Sequence, residues 1–200
     1  MEIKIVNKSN HRFFDTLASK IKECLNTHPF ISDTMVLPKS IKIEVSIEDF
    51  NKTSMDQSDY LKTGLIKIIF GNDLYLEDNS PLPSFSMISF DTAPINPNID
   101  KIIYHELGHF IDARLNPSFG YDDALRPQEK RIKSIHFNLW DSYIDGRLGT
   151  FTPYLLEERK REAKEVNGID DNYITRAWNG EFTTYESIVT TAQDILKPHT

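Results

Sequence analysis

Ile102-Ile103-Tyr104-His105-Glu106-Leu107-Gly108-His109-Phe110-Ile111 is the stretch of this 200-residue chain that departs from ordinary globular sequence. It contains His-Glu-x-x-His inside an apolar, helix-compatible run. In a helix the two imidazoles stand four residues apart on one face, roughly 6 Å along the axis at about 1.5 Å per residue. Their side chains then converge on one metal ion at ligand distances of about 2.0–2.1 Å. Glu106 falls on the neighbouring edge of the same face, close to the ion but not aimed straight at it. That placement suits a general base acting on a metal-bound water. Desolvating two imidazoles and a carboxylate on an apolar face is costly unless they have a partner, which argues against a surface helix with two unrelated histidines.

Working outward, Asn98 or Asp100 can cap this helix, which runs to about Leu115 before Asn116-Pro117 ends it. Upstream, residues 2–6 alternate as a short strand. Phe13, Phe14, Leu17, Ile21, Cys24 and Leu25 recur at the spacing of an amphipathic helix from Ser9 to about Asn26. Ile41 to Ile47 alternates strictly, and Leu65 to Phe70 is rich in β-formers. Asn51 to Asp59 is polar and loop-like, and Ser84 to Phe90 reads as a further strand. Downstream, 116–133 is a long polar connection with room for a short helical turn. Ser134 to Leu148, Pro153 to about Asn167 and Thr184 to Leu196 read as helices.

Composition narrows the functional classes. A net charge of -7 leaves no basic surplus to neutralise phosphates, which argues against nucleic acid or an anionic membrane as partner. The most basic cluster, Glu157 to Glu162, is interleaved with acid and reads as a solvated helix face. Cys24 is the only cysteine, so an intrachain disulfide and a Cys-based zinc finger are excluded; it reads as a small core residue. Met1 to Asn7 lacks the apolar region of a secretory signal, and no run approaches the ~18–20 apolar residues that span a bilayer. The expected address is a reducing cytoplasm.

With these residues in view, the chain resembles the zincin metallopeptidases. The resemblance covers the motif helix firmly and the order of elements loosely. It implies that His105 and His109 bind zinc and that Glu106 is the general base and acid. It also implies that an edge strand ahead of the helix, here Ser84 to Phe90 with Ser86, Met87 and Ile88 at its centre, pairs with extended substrate. A catalytic zinc has three protein ligands and one open position. The metzincin subgroup would place its third His where Leu115 stands and a glycine where Asp112 stands, so it is ruled out. Gly149 to Tyr154 only nearly matches the Gly-Thr-x-x-Tyr-Gly of the aspzincins. Thermolysin-like gluzincins use a Glu on a following helix, with an Asp four residues later orienting the first His. Trp140-Asp141-Ser142-Tyr143-Ile144-Asp145 has acids at that spacing.

The match makes Asp141 the third ligand and Asp145 the partner of the His105 ring N–H. Asp is one methylene shorter than Glu, so the roles can be exchanged, with Asp145 as ligand. An ordinary helix ion pair with Arg147 is the non-functional reading of these acids. His136 is a rival ligand. Asp112 either supports His109 or pairs with Arg114 or Lys101. Tyr143, Tyr154, His136, Arg147 and Tyr185 are candidate donors to an oxyanion.

The sequence therefore predicts an α+β, zincin-like fold with a small, mostly antiparallel or mixed sheet, an active-site helix and a helical C-terminal half. It is expected to form one domain over 1–200, with a sheet-rich lobe 1–97, the motif helix 98–115 and a helical lobe 116–200. The expected activity is zinc-dependent hydrolysis of peptide bonds in a peptide or protein substrate, without nucleic-acid or membrane partners. The alternatives are a zinc hydrolase of another bond and a non-catalytic zinc-containing regulatory or binding module.

Overall fold

The computed structural model describes residues 1–8, 13–32, 35–48, 53–57, 60–71, 74 and 95–197. The chain divides into two compact units, Met1–Phe110 and Ile111–Thr200. The first carries the sheet and the second is helical, an α+β composition.

In the first unit, β1 (Glu2–Asn7), α1 (Phe14–Asn26) and β2 (Ser40–Ile47) form a crossover unit in which β1 and β2 run parallel. Parallel neighbours need such a crossover, and the 13-residue helix between them supplies it. A three-residue strand, β3 (Ser54–Asp56), and one helical turn, α2 (Tyr60–Thr63), then lead into β4 (Leu65–Phe70). The sheet order among the described strands is β1-β2-β4-β3. β2 and β4 are parallel, whereas β3 runs antiparallel to β4 along the edge. The sheet is thus mixed, with parallel pairings dominant, and the polar segment 51–59 contributes β3 where a loop is expected. Ser84 to Phe90 lies outside the described residues.

The period-two patterns act as anticipated. Ile41, Ile43 and Val45 of β2 and Ile66, Ile68 and Phe70 of β4 are all buried. The register sets Ile43 beside Ile66 and Val45 beside Ile68, so their apolar side chains line one face. Leu17, Ile21, Cys24 and Leu25 form the buried stripe of α1. α3 (Ile99–Phe110) carries the His-Glu-x-x-His motif and buries Ile103, Leu107 and Phe110 completely. The Phe110 ring meets Tyr60 edge to face at 4.9 Å. Ahead of α3, the Asn96 side chain accepts the Asn98 N–H at 2.8 Å, while Asp100 pairs with Lys20 of α1 at 2.6 Å.

The second unit opens with a π-helical turn, Ile111–Leu115, so the predicted helix through Leu115 changes its hydrogen-bonding pattern after Phe110. Two 3-10 turns, Pro117–Phe119 and Asp123–Leu125, follow inside the long connection. α4 (Lys130–Leu148) then packs against α5 (Leu156–Asn167), α6 (Asp171–Trp178) and α7 (Tyr185–Asp194). α4 starts four residues before its predicted onset at Ser134. α6 is an addition to the predicted helices, capped by the Asp170 side chain, which accepts the Asn172 N–H. Gly149 and Gly168 end α4 and α5 at positive φ, +57° and +67°, which favours glycine, and Gly168 forms a left-handed helix cap.

Gly146 has a different role. A Cβ placed there would overlap the backbone of Trp178, so glycine is what lets α4 and α6 approach. Gly146→Ala is expected to lower unfolding free energy by about 1–3 kcal/mol through forced backbone shifts, read as an earlier urea midpoint with an unchanged slope.

Candidate metal centre

His105 and His109 lie one turn apart on α3, as the spacing requires. His105 is buried and His109 half-buried. Their Nε2 atoms are 3.3 Å apart, with ring centroids at 4.9 Å and planes at 79°. Two ligands on the arms of a tetrahedron about 2.0–2.1 Å long are separated by about 3.3–3.4 Å, so this spacing already matches one edge of a four-coordinate zinc shell. Glu106, between them in sequence, is half-buried.

Hydrogen bonds from α1 and the loop after it fix the start of this turn. The Phe30 N–H donates to His28 Nδ1 at 3.2 Å, so Nε2 of the neutral ring carries the proton and donates to the Tyr104 carbonyl at 2.9 Å. The Tyr104 hydroxyl shares a 2.7 Å hydrogen bond with Thr27 Oγ1. His28, which has no metal-like spacing in the sequence, is therefore a buried structural histidine beside the motif. Cys24 donates weakly to the Asp100 carbonyl at 3.7 Å, and burial pushes its thiol pKa up to about 12, so it is an inert core residue.

In the second unit, the two acids of α4 have different surroundings. Asp145 is fully buried, and its carboxylate accepts from Thr152 Oγ1 at 2.6 Å and from Arg159 Nε at 2.6 Å. Asp141 is half-buried, with Oδ2 lying 3.8 Å from an Arg159 terminal nitrogen. That is an ion-pair distance, too long for a hydrogen bond.

Arg159 is the residue that sequence reasoning missed. The cluster Glu157 to Glu162 reads as a solvated face, yet Arg159 is only 4% exposed. Its guanidinium sits 3.9 Å above the Tyr154 ring and also donates to Glu162 at 3.2 Å. Burial opposes its charge, but Asp145 and then Asp141 outweigh that and raise its pKa above the ordinary arginine value. The available signal was its i, i+4 alignment with Ala163, the other buried residue of α5.

Asp112 departs from every sequence expectation. It is fully buried in the π-helical turn, where it accepts from Arg147 and, at 3.2 Å, from Asn116. Arg114 instead pairs with Asp123 at 3.2 Å. Arg147 also donates to the Tyr143 hydroxyl at 3.1 Å, so it braces the π-helical turn. Burial raises the Tyr143 pKa. His136 lies buried on α4 among aromatic rings, 5.3 Å from Tyr185 and 5.6 Å from Trp140 between centroids. Tyr154 faces the Arg159 guanidinium. Ser86, Met87 and Ile88, with His11 and His199, lie outside the described residues.

No protein-family model, curated protein or solved structure matches this chain. Among the described residues, no helix is long and apolar enough to cross a membrane.

The contrast between the α4 acids has a measurable consequence in metal-free protein. Asp145→Ala strands the buried Arg159 charge and is expected to cost about 3–5 kcal/mol in urea unfolding. Asp141→Ala, at a partly solvated ion pair, is expected to cost about 0–1 kcal/mol.

Proposed function

We propose that the chain is a zinc-dependent metallopeptidase of zincin-like fold, with His105, His109 and Asp141 as metal ligands and Glu106 as general base. The observation that carries this reading is the 3.3 Å separation of the two Nε2 atoms on a buried helix turn that also carries Glu106. Two imidazoles and one carboxylate are a donor set suited to zinc, and three protein ligands leave the open position that a catalytic site needs. The sequence order of a sheet, a motif helix and then helices fits the proposed fold family.

Asp141 is preferred to Asp145 as third ligand for a physical reason. Asp145 is committed to Thr152 and Arg159 by two short hydrogen bonds, and withdrawing it would leave a guanidinium buried against lost charge. Asp141 meets the same arginine only at 3.8 Å, so its carboxylate is held less tightly by that guanidinium than Asp145 is. A bound zinc ion would lower the pKa of a coordinated water and polarise a substrate carbonyl. The chain's own contribution is positional. The His28 and Thr27 contacts fix the backbone and side chain of Tyr104, and with them the turn bearing Glu106. Glu106 accepts a proton from the attacking water and returns it to the leaving amine, so one carboxylate serves as base and then as acid. The substrate is a peptide or protein, and the proposed setting is the cytoplasm.

Purified protein is expected to contain about one equivalent of zinc, lost on dialysis against a chelator together with peptide cleavage. His105→Ala and His109→Ala should each abolish binding, while Glu106→Gln should retain zinc and lose at least about 100-fold in kcat on a peptide library. A metal-free wild type would refute the site. Full cleavage by Glu106→Gln would refute the role of that carboxylate.

A further inference from the structure

We infer that Arg159 is a positioning residue for the metal site, aiming the Asp141 carboxylate at the ion; this rests on the metallopeptidase reading above. Arg159 is 4% exposed and held in place, with its Nε tied to Asp145 at 2.6 Å and its guanidinium carbon 3.9 Å from the Tyr154 ring centroid. The planar guanidinium carries its donors in a fixed fork, so anchoring one edge sets the direction of the other. That other edge meets Asp141 Oδ2 at 3.8 Å and Glu162 at 3.2 Å. At 3.8 Å the guanidinium biases where Asp141 points without hydrogen-bonding to it.

The charge balance supports the same role. Three carboxylates, those of Asp141, Asp145 and Glu162, surround one guanidinium, so the cluster keeps a negative surplus. Asp145 alone would neutralise Arg159. The further acids make the cluster receptive to a second cation, and Asp141 is the proposed ligand among them. Partners that orient ligating side chains in this way typically govern metal affinity by about 10–100-fold.

The test uses the full chain, with zinc affinity measured by competition against a chromophoric chelator and coordination read from the visible spectrum of the Co2+-loaded protein. Arg159→Met should weaken zinc by about 10–100-fold and change the Co2+ bands, because the carboxylate loses its orientation. Arg159→Lys keeps a charge near Asp145 but loses the fork. It should fall between wild type and Arg159→Met in affinity, with a spectrum displaced in the same direction. If Arg159→Met fails to fold, as judged by circular dichroism, Arg159→Lys carries the test alone. Zinc affinity within about twofold of wild type would overturn the inference. Weaker affinity with an unchanged Co2+ spectrum would also overturn it, since a general loss of stability does not alter the loaded site. The metal-site reading fails in a different way, by a wild type that binds neither Zn2+ nor Co2+ or by Asp141→Ala with undiminished zinc affinity.

Discussion

Two imidazole nitrogens held 3.3 Å apart on a mostly buried helix turn impose the constraint that organises the first unit. Across that gap one ring nitrogen can donate to the other, the direction being set by the tautomers. A helix bearing such a pair must bury its remaining faces without supplying competing polar partners. Ile103, Leu107 and Phe110 do this on α3.

The scaffold holds that turn with few polar contacts. Lys20 of α1 reaches Asp100 in the first turn of α3, and Thr27 and His28 reach Tyr104 immediately before the motif. The ion pair with Lys20 is partly solvated and contributes little stability by itself. The His28 contact is buried, so losing it would leave a carbonyl without its partner, which costs about 1–3 kcal/mol. Registration of the motif helix against α1 therefore depends more on a neutral buried hydrogen bond than on the charged pair.

The sequence made the alternating strands and the motif helix legible because each has one dominant environment. Ile41 to Ile47 and Leu65 to Phe70 show their buried face directly in the period of their apolar residues. Strand direction was less accessible, since alternation is common to parallel and antiparallel neighbours. The helix between β1 and β2 was the cue to a parallel crossover. β3 was hidden because a three-residue edge strand is too short to display a period. For α6, only Ile174 and Ala177 are fully buried over its eight residues, a signal easily lost beside the Arg176-Ala177-Trp178 run. At the candidate site, the placement of His105 and His109 one turn apart on α3 follows from their spacing alone. The partners of Asp112, Asp145 and Arg159 come from tertiary packing, which no local pattern encodes.

Burial divides the acids of the second unit into two kinds. Asp112 and Asp145 are fully enclosed, and each is matched to an arginine and a neutral donor: Arg147 with Asn116, and Arg159 with Thr152. Such pairs are expensive to desolvate, and a well-packed apolar substitute is often as stable or more so. Stability alone is thus a weak account of Asp145 and Arg159. What an apolar pair would not provide is a guanidinium of fixed direction beside Asp141, on the helix face one turn earlier. The buried pair converts the packing of α5 on α4 into an orienting field at a partly solvated carboxylate. On this view the cost of the buried charge lies on the structural side of α4, and its effect is felt at the proposed ligand.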